Sequence, residues 1–153
     1  MLRIGKLTDY ATVVMAELSR HPGECWSASQ VAEATRLELP TVAKVLKTLA
    51  KAGLIDSVRG VNGGYRLPEA PEHVSVAAII RAMEGPIALT ECGLEPGLCA
   101  REHECDLRGN WQRIGAAVER ALEALTLADL ATPGGLGLRV VTSPVAAPAE
   151  SGN

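Results

Sequence analysis

Phenylalanine is absent from the 153 residues of this chain, and aromatic side chains make up only 3% of them. Hydrophobic residues nevertheless reach 47%, so a core must be built mainly from Leu, Val, Ile and Ala. These aliphatic side chains suit packed helices. The composition therefore indicates a mainly α protein with one domain, or a small domain plus an appendage.

Long apolar runs are missing as well. Lys6 and Asp9 interrupt the N-terminal segment, which therefore predicts neither a signal peptide nor a membrane span. We expect a cytoplasmic protein, and in that compartment disulfides are rare and clustered cysteines more often bind metal or sense redox state.

The net charge of −3 is unevenly distributed. Residues 1–70 carry nine Lys and Arg against seven Asp and Glu, whereas residues 71–153 carry six against eleven. The first part can approach a polyanion and the second repels one. The positive excess is too small to establish nucleic-acid binding, so the placement of the charges must decide.

The first 67 residues have the pattern of a winged helix-turn-helix. Apolar spacing predicts helices over 7–19, from the Ser27 capping box to Ala34, and over 40–52. Thr8 or Asp9 can cap the first of them. Strands predicted over 54–58 and 65–67 flank a glycine-rich turn. Three helices followed by a small β-hairpin wing are typical of this fold.

The second half of the chain is expected to hold a helix capped by Ser75, an irregular loop over 87–106 and a long helix over 107–125. Apolar residues of the long helix alternate at spacings of four and three, which predicts a coiled-coil dimerisation seam: Leu107, Trp111, Ile114, Val118, Ala121 and Leu125. The alternative is one amphipathic helix packed on its own domain. One further turn is expected over 126–131.

These patterns divide the chain into three regions. Residues 1–70 are predicted to form the DNA-binding domain, and residues 71–131 the linker helix, cysteine loop and dimerisation helix. The composition of 132–153, rich in Gly, Pro, Ala and Ser, predicts a disordered tail.

DNA contacts are expected from the second helix of the motif, from the N-terminus of the helix before it, and from the wing. The candidates are Ser27, Ser29, Thr41, Lys44, Lys47, Arg59, Gly60, Asn62, Gly63, Gly64 and Tyr65. Taken singly, the lysines could form an ordinary solvated face and the glycines could merely close a hairpin. Some winged helices bind proteins instead of DNA.

Three of the four cysteines lie in the loop, at Cys92, Cys99 and Cys105. Their spacing differs from the paired C-x2-C of most structural zinc sites. Widely spaced thiolates on a loop suit an iron–sulfur cluster. A fourth ligand is needed, and the chemical candidates are His103, Glu104, Asp106 and the distant Asp9.

Other interpretations of the cysteines stay open: redox thiols without metal, a zinc site completed by His103, or unliganded side chains. Cys25, beside Trp26, is interpreted as a packing residue. An enzyme is not expected, because the sequence has no glycine-rich phosphate loop between a strand and a helix and no evident catalytic triad.

The segments LTDYATVVM and LIDSVRGVNGGYRL, with the three-cysteine loop followed by LRGNW, resemble the IscR/NsrR-type winged-helix repressors. The resemblance spans roughly residues 1–131 and is greatest to the branch that regulates SUF iron–sulfur assembly genes. It implies a homodimer that binds palindromic operator DNA and a 2Fe-2S or 4Fe-4S cluster held by Cys92, Cys99 and Cys105.

The resemblance also bears on the fourth ligand. Repressors of the IscR kind have a His three residues after the last cysteine, where this chain has Arg108, which cannot ligate. The nitric-oxide-sensing branch uses an Asp early in the first helix of the partner subunit, and that position matches Asp9. The resemblance therefore favours Asp9 of the partner subunit.

Overall fold

The computed structural model describes residues 4–132, and within them the chain forms seven α-helices and one β-hairpin. The elements are α1 Lys6–Ser19, α2 Ala28–Thr35, α3 Leu39–Lys51, β1 Asp56–Val58, β2 Gly64–Arg66, α4 Val76–Glu84, α5 Glu91–Leu94, α6 Arg108–Glu123 and α7 Leu127–Ala131. This order confirms the mainly α winged helix-turn-helix fold. The tail predicted over 132–153 lies, from Pro133 onward, outside the described residues.

Helix starts follow the sequence where the capping signal is local. The Ser27 N–H donates to Gln30 Oε1 at 2.9 Å, and the Gln30 N–H donates to Ser27 Oγ at 3.2 Å, which confirms the capping box. Ser75 Oγ likewise accepts from the Ala78 N–H at 3.1 Å.

The predicted cap of α1 was wrong. The N-cap residue is Gly5, and neither Thr8 nor Asp9 caps the helix with its side chain. The acceptor is instead the carboxylate of Glu84, the last residue of α4, which lies 2.6 Å from the Gly5 nitrogen. A cap supplied from 79 residues away leaves no local sequence signal.

One hydrophobic core joins the winged-helix elements to the second half of the chain. Its buried members are Ala11, Val14, Met15, Leu18, Val31, Val42, Val45, Leu46, Leu49, Ile55, Val74, Ile79 and Leu127. Leu127 is fully buried although it lies 60 residues beyond the wing. The helices that precede and follow the cysteine segment, α4 and α7, therefore help to complete the core of α1–α3.

Residues 76–125 form an excursion that is closed at its base, although Ile79 of its first helix, α4, remains part of the core. The Val76 N–H donates to the Leu125 carbonyl at 2.8 Å, and the Leu127 N–H donates to the Val74 carbonyl at 2.8 Å. Within the excursion, the guanidinium of Arg81 on α4 bridges two α6 carboxylates, Glu119 at 2.7 Å and Glu123 at 2.5 Å. These contacts hold the C-terminal end of α6 against α4.

The predicted irregular loop over 87–106 is partly helical, because it contains α5 and a 3-10 turn at Glu102–Glu104. The long helix is shorter than predicted, since Leu107 is its N-cap residue and Leu125 lies beyond its end. No helix within residues 4–132 is both long and apolar enough to cross a membrane.

Candidate nucleic-acid interface and cysteine segment

The helix α3 turns its apolar stripe to the core and its polar side chains outward. Val42, Val45, Leu46 and Leu49 are fully buried. Lys44 and Lys47 are exposed on the other face, and Thr41 in the first turn is half-buried. The helix thus presents the three residues that sequence reasoning assigned to DNA on one accessible surface.

The wing is a short antiparallel hairpin in which Ser57 is paired with Tyr65. Its tip carries Arg59, Gly60 and Asn62, all exposed. Val61 at the same tip is fully exposed, and sequence reasoning did not assign it a role. An apolar side chain that projects from a cationic tip can pack against the sugars of a groove.

The root of the wing is attached to Trp26, the residue before the Ser27 cap of α2. The Trp26 N–H donates to the Tyr65 carbonyl at 2.9 Å, and the Tyr65 N–H donates to the Trp26 carbonyl at 2.8 Å. A Cβ on Gly64 would lie only 2.5 Å from the Trp26 carbonyl oxygen. Only glycine permits this approach, so the structure accounts for Gly64 without any DNA contact.

Gly63 is equally constrained. A Cβ there would lie 2.3 Å from the Val58 carbonyl oxygen and 2.9 Å from the Gly60 carbonyl oxygen.

The two serines that were predicted to contact DNA differ in their availability. Ser29 is exposed, whereas the Ser27 hydroxyl is used as the cap of α2.

The cysteines Cys25, Cys92, Cys99 and Cys105 are all free and half-buried. Cys92 Sγ lies 3.2 Å from Thr90 Oγ1, and Gln112 of α6 donates to the Cys92 carbonyl at 3.3 Å. Within the described part of the chain, no three His, Cys, Asp or Glu side chains are grouped closely enough to hold a metal ion.

The cysteine segment is held by an ion pair between Glu102 and Arg108 that sequence reasoning missed. Glu102 is only 6% exposed. Its carboxylate accepts from the Gly97 N–H and pairs with Arg108 Nη2 at 2.6 Å. Arg108 Nε is itself buried and has no hydrogen-bond partner among residues 4–132. Arg108, which cannot ligate a cluster, therefore anchors the cysteine segment.

Three of the four candidates for a fourth ligand lie on the cysteine segment, and the other lies on α1. His103, Glu104 and Asp106 are exposed on the cysteine segment, and Asp9 is exposed in the first turn of α1. Each has an accessible side chain.

The seam predicted on α6 is largely uncovered. Within this helix no residue is buried, and Trp111 and Ile114 are 42% and 46% exposed. Ala121 is exposed, and Val118 and Leu125 are half-buried. Val118 lines a hollow of about 190 Å³ together with Ile80 and Ile87. An apolar stripe of this kind on a helix of a folded chain is typical of an interaction surface.

A model of the Rrf2 family, described as iron-dependent transcriptional regulators, matches residues 4–133 of this sequence. The chain belongs to the Rrf2 family. This finding confirms the resemblance to IscR/NsrR-type regulators.

Individual Rrf2 proteins match over most of their length. The transcriptional regulator NsrR of Halalkalibacterium halodurans is 33% identical over 133 residues, which cover 86% of this chain and 91% of that protein. The structure of CymR, the global cysteine regulator of B. subtilis, has a TM-score of 0.69 at 33% identity and covers 86% of this chain and 97% of its own. The structure of T. potens IscR has a TM-score of 0.63 at 29% identity, with 84% and 85% covered. These relatives are transcriptional regulators, which confirms the expectation that this protein is not an enzyme.

Proposed function

We propose that this Rrf2 regulator is a homodimeric cytoplasmic repressor that senses iron–sulfur status and controls SUF-type iron–sulfur assembly genes. The observation that carries the proposal is the placement of three free, half-buried cysteines on one segment between α4 and α6. In this proposal, residues 1–70 bind the operator, and residues 71–131 hold the cluster and form the dimer.

The proposed reading of DNA follows from the accessible polar surface. The N-terminal turns of α3 enter the major groove, where Thr41, Lys44 and Lys47 meet bases and phosphates. The wing tip, with Arg59 and Asn62, follows the neighbouring minor groove or backbone. Ser29 faces phosphate, and Gly60, Gly63, Gly64 and Tyr65 shape the wing. A twofold dimer requires a palindromic operator.

The donor set fits an iron–sulfur cluster, because three thiols are the natural ligands of iron–sulfur centres. Cys92, Cys99 and Cys105 would hold it. When bound, such a cluster would make the protein responsive to oxygen, iron supply or nitric oxide. The Glu102–Arg108 ion pair joins the segment that carries these cysteines to the first residue of α6.

Asp9 is proposed as the fourth ligand, supplied by the partner subunit. This assignment places a ligand in the first turn of α1, next to the buried Thr8. The stripe of Trp111, Ile114, Val118, Ala121 and Leu125 is proposed to bring the two chains together.

Anaerobic purification followed by visible absorbance, iron and acid-labile sulfide assays tests the cluster. The wild-type chain is expected to be coloured and to contain sulfide. Cys92→Ala, Cys99→Ala and Cys105→Ala are expected to lose both, whereas Cys25→Ala serves as the matched control and keeps both. A wild-type protein that is colourless and sulfide-free even after reconstitution contradicts the proposal.

A mixed dimer distinguishes the partner's Asp9 from a ligand on the same chain. An Asp9→Ala chain and a Cys92→Ala chain, carrying different affinity tags, are purified together. If Asp9 acts across the dimer, one of the two sites contains all its ligands and half of the sulfide returns. If Asp9 acts within its own chain, both sites are defective and none returns.

A second candidate is a thiol-redox or zinc-dependent regulator on the same scaffold. It is favoured by the likeness to CymR, whose structure is described as that of a global cysteine regulator. Zinc without sulfide, or a change in operator affinity on peroxide treatment that dithiothreitol reverses without metal, would support it. A protein-interaction module instead predicts that Lys44→Ala and Arg59→Ala leave the affinity for duplex DNA unchanged.

A further inference from the structure

A groove separates the first turns of α1 from the turn between α2 and α3. It has a volume of about 410 Å³, and its charged or hydroxyl-bearing residues are Lys6, Tyr10, Arg36, Glu38 and Thr41. Thr41 is the one member that sequence reasoning assigned to DNA. The groove therefore continues the proposed reading surface toward α1.

The cations of the groove are available for a ligand. Lys6 and Arg36 are exposed, and neither forms an ion pair within residues 4–132. Lys6 Nζ lies 5.6 Å from the centroid of the Tyr10 ring, an attraction that restrains the ammonium group without neutralising it. Two cations against the single carboxylate of Glu38 leave the groove positive.

The backbone at Arg36 ends α2. Arg36 is the C-cap of the helix, and its N–H donates to the Ala32 and Glu33 carbonyls. Its φ of 56° is left-handed, a conformation in which helices commonly end and for which glycine is the usual residue. An arginine here places an exposed cation beside the groove at a conformational cost that glycine would avoid.

We infer that this groove holds a backbone phosphate of the operator, with Lys6 and Arg36 as its cationic contacts. The inference rests on the proposed function. If the N-terminal end of α3 enters the major groove, the adjoining strand must pass beside Thr41, which also lines the groove. Phosphate contacts of this kind set the register of a reading helix on the duplex.

The salt dependence of DNA affinity tests the inference. Each phosphate contact contributes about 0.9 to the slope of log K against log salt concentration. Lys6→Ala and Arg36→Gly are each expected to reduce the slope of the full-length chain, and the double variant is expected to reduce it by about 0.9, because the two cations share one phosphate. Arg36→Gly relieves the strained backbone, so a loss of affinity cannot come from misfolding.

The duplexes are an operator selected from random DNA by the wild-type chain and a scrambled duplex of the same composition. Arg20→Ala is the matched control, because it removes an exposed cation from the opposite end of α1. It is expected to keep the wild-type slope. The variants are expected to weaken both duplexes by the same factor, since phosphates carry no sequence information.

Two results would overturn the inference. Wild-type slopes in both Lys6→Ala and Arg36→Gly would show that no phosphate is bound there. A loss confined to the selected operator would show base contact instead. Failure of the proposed function is distinguishable, because the wild-type chain would then bind neither duplex at any salt concentration.

Discussion

The carboxylate of Glu84 accepts a hydrogen bond of 2.6 Å from the hydroxyl of Thr8, across 76 positions of the chain. Thr8 is buried, with 1% of its surface exposed. The same oxygen, Oε1, accepts from the Gly5 N–H. A Cβ on Gly5 would lie 3.0 Å from that oxygen, so the approach is tight. The last residue of α4 therefore fixes the start of α1, just before the chain enters the cysteine segment.

Removing the Glu84 carboxylate is expected to weaken the start of α1. Both hydrogen bonds lower the pKa of Glu84 below its ordinary value of 4.5, with the Thr8 hydroxyl the larger cause. Glu84→Ala is expected to lower the free energy of unfolding by about 1 kcal/mol at neutral pH, as for loss of a helix cap. Urea denaturation measures it.

The pH dependence follows from the same shift. Because the folded-state pKa is depressed, the ionised carboxylate stabilises the fold above the ordinary pKa, and this contribution is lost as the pH falls through the folded value. The free energy of unfolding of wild type should therefore exceed that of Glu84→Gln at neutral pH, and this difference should vanish in acid. Glu33→Gln, an exposed change on α2, is the control. An advantage that persists unchanged in acid contradicts the assignment.

Glu102→Ala is expected to release the cysteine segment. It removes the partner of Arg108 Nη2 and the acceptor of the Gly97 N–H. Because Arg108 Nε already has no hydrogen-bond partner among the described residues, the variant leaves more of the guanidinium group unsatisfied. A loss of about 2 kcal/mol is expected. Hydrogen exchange should speed up over residues 95–108 while α3 stays protected. Glu95→Ala, exposed on the same segment, should leave exchange unchanged, and equal effects of the two would sink the idea.

Gly63→Ala is expected to distort the wing, because its Cβ would lie 2.3 Å from a backbone oxygen of Val58. The hairpin must open to admit it, at a cost of about 2 kcal/mol, and the affinity for DNA should fall. Gly109→Ala is the comparison, since a Cβ at Gly109 meets nothing within 4 Å. Thermal unfolding and DNA titration check both variants, and a wild-type melting temperature in Gly63→Ala would refute the steric argument.

Ile114→Asp should separate the proposed dimer. Ile114 is 46% exposed in the described residues, so the change costs a single chain little, whereas it puts a charge into an apolar seam between two chains. Sedimentation equilibrium should give a monomer. Arg113→Ala, next along the exposed part of α6, should remain dimeric. If wild type is already a monomer, the seam has no such role.

Local signals were enough for much of the fold. The capping box at Ser27, the cap at Ser75 and the apolar stripe of α3 each depend on residues within a few positions. The hairpin followed from its glycines, and the structure shows that Gly63 and Gly64 are required by close backbone approaches. The polar surface of α3 then followed from the buried stripe.

Contacts between distant residues could not be predicted in the same way. Glu84 and Glu102 have no periodicity or motif that marks them, and each acts on a partner that only the fold brings near. No sequence signal marks Arg36 either, because a left-handed backbone is unusual for arginine. The spacing of the three cysteines did not predict α5 or the 3-10 turn at Glu102–Glu104 within their segment.

The burial of Leu127 beside α1 has a consequence for synthesis. The reading helices leave the ribosome early, but their core lacks a member until α7 has emerged, about 60 residues after the wing. The core beneath the α3 surface is therefore completed only after the cysteine segment has been synthesised. Every chain with a complete core already contains Cys92, Cys99 and Cys105.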